Sequence, residues 1–142
     1  MGRVSLEFPG KPVFTCPFPV RITDINYAGH MGMDIVLGLA HDIRLKYFQS
    51  IGYKNELVVG DSIGIVTTDA EIVFKAEIFY EDSLEAVMAF SDFNKYGFDI
   101  HYIIKKGPTG IEAIQLKTGI VFFDIQKRQV SPIPESFMKK IT

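Results

Sequence analysis

The chain has 142 residues, of which 47% are hydrophobic, with one cysteine and a formal net charge of -2. That length suits one domain with a real core, and so apolar a composition excludes a disordered chain. The lone Cys16 excludes an internal disulfide and fits a reducing compartment, and thinly scattered basic residues argue against a nucleic-acid face.

The amino-terminal stretch MGRVSLEFPGKPVF holds no apolar run of signal-peptide length. Nothing in the chain approaches the roughly 18 uninterrupted apolar residues of a membrane span. The expectation is therefore a cytoplasmic protein with no membrane span.

Residues 1–12 read as an arm, broken by Pro9, Gly10 and Pro12. VFTCPFPVRI (13–22) reads as a first strand. Pro17 and Pro19 deny it ladder donors, so it belongs at a sheet edge or is bulged. A helix follows over about Asp34–Ile51, where Val36, Leu39, Ala40, Ile43, Tyr47 and Ile51 recur at helical spacing. Asp42, Lys46 and Gln49 leave only a narrow polar strip, so the helix is expected to be wrapped by other structure. Asp34 suits its N-cap and Gly52 its stop.

Four further strands are expected, over 70–79, 84–93, 97–106 and 111–125, with a bend at Gly119. The links YEDS and KKGPTG look like hairpin connections and favour antiparallel pairing. The tail, 128–142, carries Pro132 and Pro134 and is expected to run irregularly over the surface. The whole is one domain over 1–142. Its class is α+β, an antiparallel sheet of about five strands curled around one central helix. A single helix cannot cover both faces of such a sheet, so a homodimer or homotetramer is expected.

Within this frame, RITDINYAGHMGMDIVLGLAHDIRLKYFQSIGY resembles the acyl-CoA thioesterases of the 4-hydroxybenzoyl-CoA thioesterase type, which have the hotdog fold. Their signature runs roughly Arg-x-x-Asp-x-Asp-x-x-Gly-His-Val-Asn-Asn before a helix. Arg21, Asp24, Gly29, His30 and the closing Gly52 fall at matching positions. FYEDSLEA and KTGIVFFDIQKRQVSPIP resemble the family's strand-turn-strand and its last strand and tail. The resemblance implies hydrolysis of an acyl-CoA thioester, with coenzyme A arriving as part of the substrate and no cofactor. It also departs at two places: Gly32-Met33 stands where the family often has Asn-Asn, and, more important, the family's catalytic carboxylate, the second acid of Asp-x-Asp, is Asn26 here. An amide can orient water or a thioester oxygen, but it can neither attack nor take a proton.

The loop and helix start nevertheless concentrate useful chemistry. Backbone N–H groups at a helix N-terminus are unpaired and favour a developing negative oxygen. Gly29 would let backbone approach the thioester, and Tyr27 and Met31 could wall an acyl pocket. His30 is the natural base for water, with Asp34 or Asp24 as the candidate carboxylate. Asp34 lies four residues from His30 and could orient its imidazole if the intervening turn is helical.

Plainer readings compete for the same residues. Asp34 can be a simple N-cap and Asp24 a brace for its loop, and Asn26 can be a turn residue with positive φ. His41 reads as structural, and His101 as facing solvent or a partner subunit. Three histidines so spaced make no metal site. Lys95, Lys105, Lys106 and Arg128 are candidates for the phosphates of coenzyme A, and Glu71, Glu77 or Glu81 of a neighbouring subunit could complete the site. Two other functions remain open. One is a hydratase or dehydratase of the same fold, whose Asp-x-Asn-Pro-x-His pattern is one residue shorter and has a proline. The other is a non-catalytic acyl-CoA-binding dimer.

Overall fold

The computed structural model describes residues 5–55 and 59–142. The elements run β1 (Pro12–Pro19), a 3-10 turn (Ile22–Asp24), α1 (Met33–Ser50), β2 (Ile63–Phe74), β3 (Ser83–Ser91), β4 (Gly97–Gly107), β5 (Ile111–Asp124), β6 (Gln129–Ser131) and α2 (Glu135–Ile141). The strands form one antiparallel sheet in the order β1-β3-β4-β5-β2, with β6 added against the end of β5. Proline-bearing β1 is indeed an edge, and its pairing with β3 shifts register between Pro12 and Phe14.

The period-2 pattern of the central strands decides which face meets the helix. Leu84, Ala86, Met88, Phe98, Ile100, Tyr102, Ile104, Ile114, Leu116 and Phe122 are all buried in one cluster with Val36, Ala40, Ile43, Tyr47 and Phe48 of α1. The Tyr47 ring meets Phe14 and Phe90 edge-on, with centroids at 5.7 and 5.3 Å. The sheet therefore covers one face of α1, but the opposite face, with Met33, Leu37, His41, Lys46 and Gln49, is exposed, so the polar strip is broader than the sequence suggests and the helix is not wrapped on all sides. Within that strip, Lys46 and Asp42 pair at 3.1 Å.

Several expectations need correction. The N-cap of α1 is Gly32, not Asp34, which sits in the first turn. Gly52 closes the helix as expected, with φ +103. The strand expected over 70–79 runs over Ile63–Phe74. Its first half was masked in the sequence because Thr67, Thr68 and Asp69 lie exposed on a free edge. Its second half leaves the ladder because Lys75 and Ala76 both donate to the carbonyl of Ala113, at 2.8 and 3.2 Å. The irregularity expected at Gly119 lies across from it, where β2 shifts register between Thr67 and Asp69. KKGPTG does join the paired strands β4 and β5, but YEDS is no hairpin. β2 pairs with β5 and β3 with β1 and β4, so residues 75–82 cross the end of the sheet instead.

The tail is not irregular. β6 pairs with Phe122–Asp124, and α2 drives Phe137 into the core with no exposed surface. Its ring lies 5.0 Å from Phe122, 5.7 Å from Phe48, 5.9 Å from Tyr53 and 6.0 Å from Phe98. This aromatic plug closes the end of the fold where α1 terminates. The two prolines serve it, since Pro134 is the N-cap of α2.

The outer face of the sheet is partly covered by the chain's own arm. His101 there is 7% exposed, against the expectation that it meets solvent. The Phe8 ring stands edge-on to it at 6.4 Å, and its Nε2 lies 2.8 Å from Ser91 Oγ. With the Gln115 amide turned to satisfy both ends, its nitrogen donates to the carbonyl of Leu6 at 3.2 Å. Burial holds the His101 imidazole below its ordinary value of 6.5, against the opposing pull of Asp99.

Two outcomes are expected. Phe137→Ala should lower unfolding stability by about 3 kcal/mol or more, the usual cost of an emptied aromatic site. Chemical denaturation checks this, and a loss under about 1 kcal/mol would show that α2 lies outside the cooperative core. For His101, the unfolded chain takes up a proton near 6.5 that the folded chain resists. Its contribution is therefore intact above that pH and is lost as pH falls below it. Melting temperature should decline from pH 7 to pH 5, less steeply in His101→Gln. Equal slopes in the two proteins would show that another group is responsible.

Candidate active site

The ends of five elements meet at the edge of the sheet opposite the aromatic plug. β1 leaves there, β3 begins there, and the β4–β5 hairpin turns there. Residues 75–82 cross it after β2, and the loop feeding α1 returns to it. These last two segments are joined by a backbone bond, from Met31 N–H to the carbonyl of Ile78 at 2.8 Å. Between them lies a cavity of about 430 Å³, lined on one side by Asn26, His30, Met31, Gly32 and Met33 and on the other by Phe74, Lys75, Ala76 and Glu77.

The loop is shaped by short-range bonds. Asn26 Oδ1 accepts from Ala28 N–H at 2.9 Å, an Asx turn that leaves the amide's Nδ2 donors for other work. Asn26 N–H donates to the carbonyl of His30 at 3.0 Å, and Gly29 N–H to that of Asn26, also at 3.0 Å. The positive φ this turn requires falls on Gly29, at +88, and not on Asn26. His30 Nδ1 lies 3.2 Å from the carbonyl of Met31. A carbonyl only accepts, so Nδ1 carries the proton and Nε2 keeps its lone pair. The turn between His30 and Met33 is not helical, so it is this carbonyl, and not Asp34, that orients the imidazole.

No side chain caps α1. The first N–H groups of an α-helix have no acceptor within it, and here Gly32 and Met33 form part of the cavity wall. Gly32 is there for space. A Cβ on it would stand 2.7 Å from Asp34 Oδ1 and 3.0 Å from Asn26 Nδ2.

The sequence candidates separate cleanly. Asn26, His30 and Met31 line the cavity. Asp34 does not, though its Oδ1 approaches Gly32 beside it. Asp24 is buried at 4% exposure and braces its own turn. Its carboxylate accepts from Arg21 N–H at 2.9 Å and pairs with the Arg21 guanidinium at 3.1 Å. Tyr27 is fully exposed and Gly29 has open space around it, so neither walls the cavity. Of the cations, Lys106 lies at the site end, bonded to Asp82 at 3.1 Å and to the carbonyl of Glu77 at 2.9 Å. Lys95 and Arg128 lie in turns at the far end of the sheet, away from the cavity. Lys75 lines the cavity and was missed as a cation there, as were Phe74 and Ala76 as apolar lining. The signal for them was a strand that ends early, which alternation alone does not reveal. Glu71 pairs with Lys117 at 3.5 Å and Glu81 lines a separate surface groove, leaving Glu77 as the distant glutamate that reaches the cavity. Among the described residues no group of three or more His, Cys, Asp or Glu could hold a metal ion, and no helix is long and apolar enough to cross a membrane.

Comparison with known proteins agrees with this architecture. The 1,4-dihydroxy-2-naphthoyl-CoA thioesterase of Synechocystis superposes with a TM-score of 0.80 at 22% identity, over 90% of this chain and 94% of its own. A Staphylococcus aureus protein solved in complex with CoA gives 0.82 at 17% identity, over 96% and 85%. The 12:0-ACP thioesterase of Umbellularia californica gives 0.76 at 15% identity, over 94% of this chain and 54% of its own. At such identities the likeness establishes the hotdog fold. No curated protein matches the sequence. The family model of the thioesterase-like superfamily matches residues 20–141, nearly the whole chain, and this protein belongs to that superfamily.

Proposed function

We propose that the protein hydrolyses an acyl-CoA thioester whose carbonyl carbon sits in the cavity at the start of α1. The observation that carries this reading is the uncapped helix N-terminus in one cavity with His30 and Asn26. The thioester oxygen accepts from the first-turn amides, where the helix dipole favours the negative charge that builds in the transition state. One such donor contributes about 3 kcal/mol. Asn26, whose Oδ1 is occupied by Ala28, offers Nδ2–H to the substrate or to water. His30 Nε2 takes the proton of the attacking water, with a carboxylate assisting. A bond from water oxygen to carbonyl carbon forms, the carbon–sulfur bond breaks, and the thiolate of coenzyme A takes up the released proton. No cofactor is needed. The apolar Met31, Met33, Phe74 and Ala76 suit the acyl group, and Lys75 and Lys106 stand at the same end of the sheet for the phosphates.

The working unit we infer is a homodimer. β2 is a 12-residue edge strand without a proline, and Met33, Leu37 and Phe74 are exposed near the cavity. Pairing a second copy there removes a free edge and covers apolar surface. The Synechocystis naphthoyl-CoA thioesterase and the CoA-bound protein named above support the choice of a CoA ester over other thioesters.

The test is release of free thiol from a panel of aliphatic and aromatic acyl-CoAs. Hydrolysis is expected, reduced about 100-fold in His30→Ala, as for loss of a general base. Gly32→Ala should lower kcat/KM about tenfold or more with little change in melting temperature, because its Cβ displaces Asn26 and Asp34 side chains and no backbone. Turnover of crotonyl-CoA by hydration would instead favour the hydratase reading. CoA esters that raise the melting temperature without any reaction would favour a binding protein, the reading that Asn26 in the acid's place supports.

A further inference from the structure

We infer that Glu77 of the same chain is the carboxylate of this site, a catalytic residue that supplies the negative charge Asn26 cannot. The inference rests on the thioesterase reading above and sharpens it.

The path of the chain after β2 carries the argument. In a regular strand Phe74 and Ala76 would share one face and Lys75 and Glu77 the other. Instead the amides of Lys75 and Ala76 converge on the single carbonyl of Ala113, a bulge that ends the alternation. The result is that four consecutive residues, Phe74 to Glu77, all line the cavity. The segment is then fixed from both sides. Lys106 Nζ donates to the backbone carbonyl of Glu77 at 2.9 Å, and Met31 N–H to that of Ile78 at 2.8 Å.

The neighbouring cations are otherwise engaged. Lys106 pairs with Asp82 at 3.1 Å, and Lys75 Nζ lies 3.3 Å from the Gln115 side-chain oxygen. Among the described residues the Glu77 carboxylate takes part in no ion pair or hydrogen bond, so its charge is not neutralised by the protein. Of the other acids, Asp24 is committed to Arg21, Glu71 to Lys117 and Glu81 lies in a different groove, while Asp34 stands beside Gly32 but outside the cavity lining.

A carboxylate across the cavity from His30 has a definite task. As water attacks, His30 Nε2 takes one hydrogen as a proton and becomes cationic, while Glu77 accepts the other hydrogen and balances the imidazolium charge. The proton passes on to the departing sulfur, leaving His30 neutral and Glu77 unchanged.

The experiment compares wild type and Glu77→Gln in thiol release, across pH 5 to 9, with melting temperature measured alongside. Gln keeps the size and an acceptor oxygen but not the charge. Expected are a kcat lowered about 10- to 100-fold, an unchanged melting temperature, and an acid limb of the pH–rate profile displaced to lower pH, because the imidazolium loses its counter-charge. Glu77→Asp should recover part of the rate and return the limb toward wild type. Hydrolysis by wild type with rate and limb unmoved in Glu77→Gln would overturn the assignment alone, and a collapse confined to Asp34→Asn would transfer the role to Asp34. Wild type that releases thiol from none of the esters would overturn the functional reading, and the assignment with it.

Discussion

A single backbone hydrogen bond, Met31 N–H to the carbonyl of Ile78, sets the geometry on which the site depends. It ties the loop that enters α1 to the segment that leaves β2. Neither segment belongs to the regular ladder, and the bond adds to the apolar packing of Met31 and Ile78 in one core cluster. Both bond partners are well buried: Met31 is 4% exposed and Ile78 2%. In such surroundings an unmade bond leaves polar groups without water, which costs more than the bond itself contributes. The cavity is the gap this junction props open.

The two ends of the fold divide their tasks. At one end Phe137 and its neighbours fill the space between helix and sheet with ring contacts, and the last carbonyls of α1 accept from the amides of Ile51, Gly52 and Tyr53 beside them. At the other end no side chain caps the helix, and polar groups of the loop replace aromatic packing. Aromatic packing is concentrated where α1 stops, and the proposed site lies where it starts. The direction of the helix decides which is which, because only its N-terminus presents donors to a developing anion.

Much of this was legible in the chain. The 3.6-residue period of α1, the alternation of β4 and β5 and the prolines of β1 predicted a long helix against a sheet and an edge strand, since burial and backbone sterics act locally on those residues. His30 and Asn26 stood out as an imidazole and an amide among glycines just ahead of a helix, although Asn26 also does the local work of an Asx turn. The tail was misread for a physical reason: Pro132 and Pro134 do break structure, but Pro134 breaks it at the position where a helix begins. β2 was misread because half of it lies on an exposed edge, where polar residues are tolerated and alternation fades.

What the sequence determined by itself is therefore the fold class, the long helix against the sheet and the chemistry gathered before it, all consequences of periodicity and of side-chain type. Tertiary structure alone decided which acids lie at the cavity. Asp24 is near in sequence yet spent on Arg21, whereas Glu77, 47 positions beyond His30, lines the same cavity. That outcome hangs on two amides sharing the carbonyl of Ala113, a partner from another strand. Pairings between distant strands follow from how the whole sheet closes, and no local pattern encodes them.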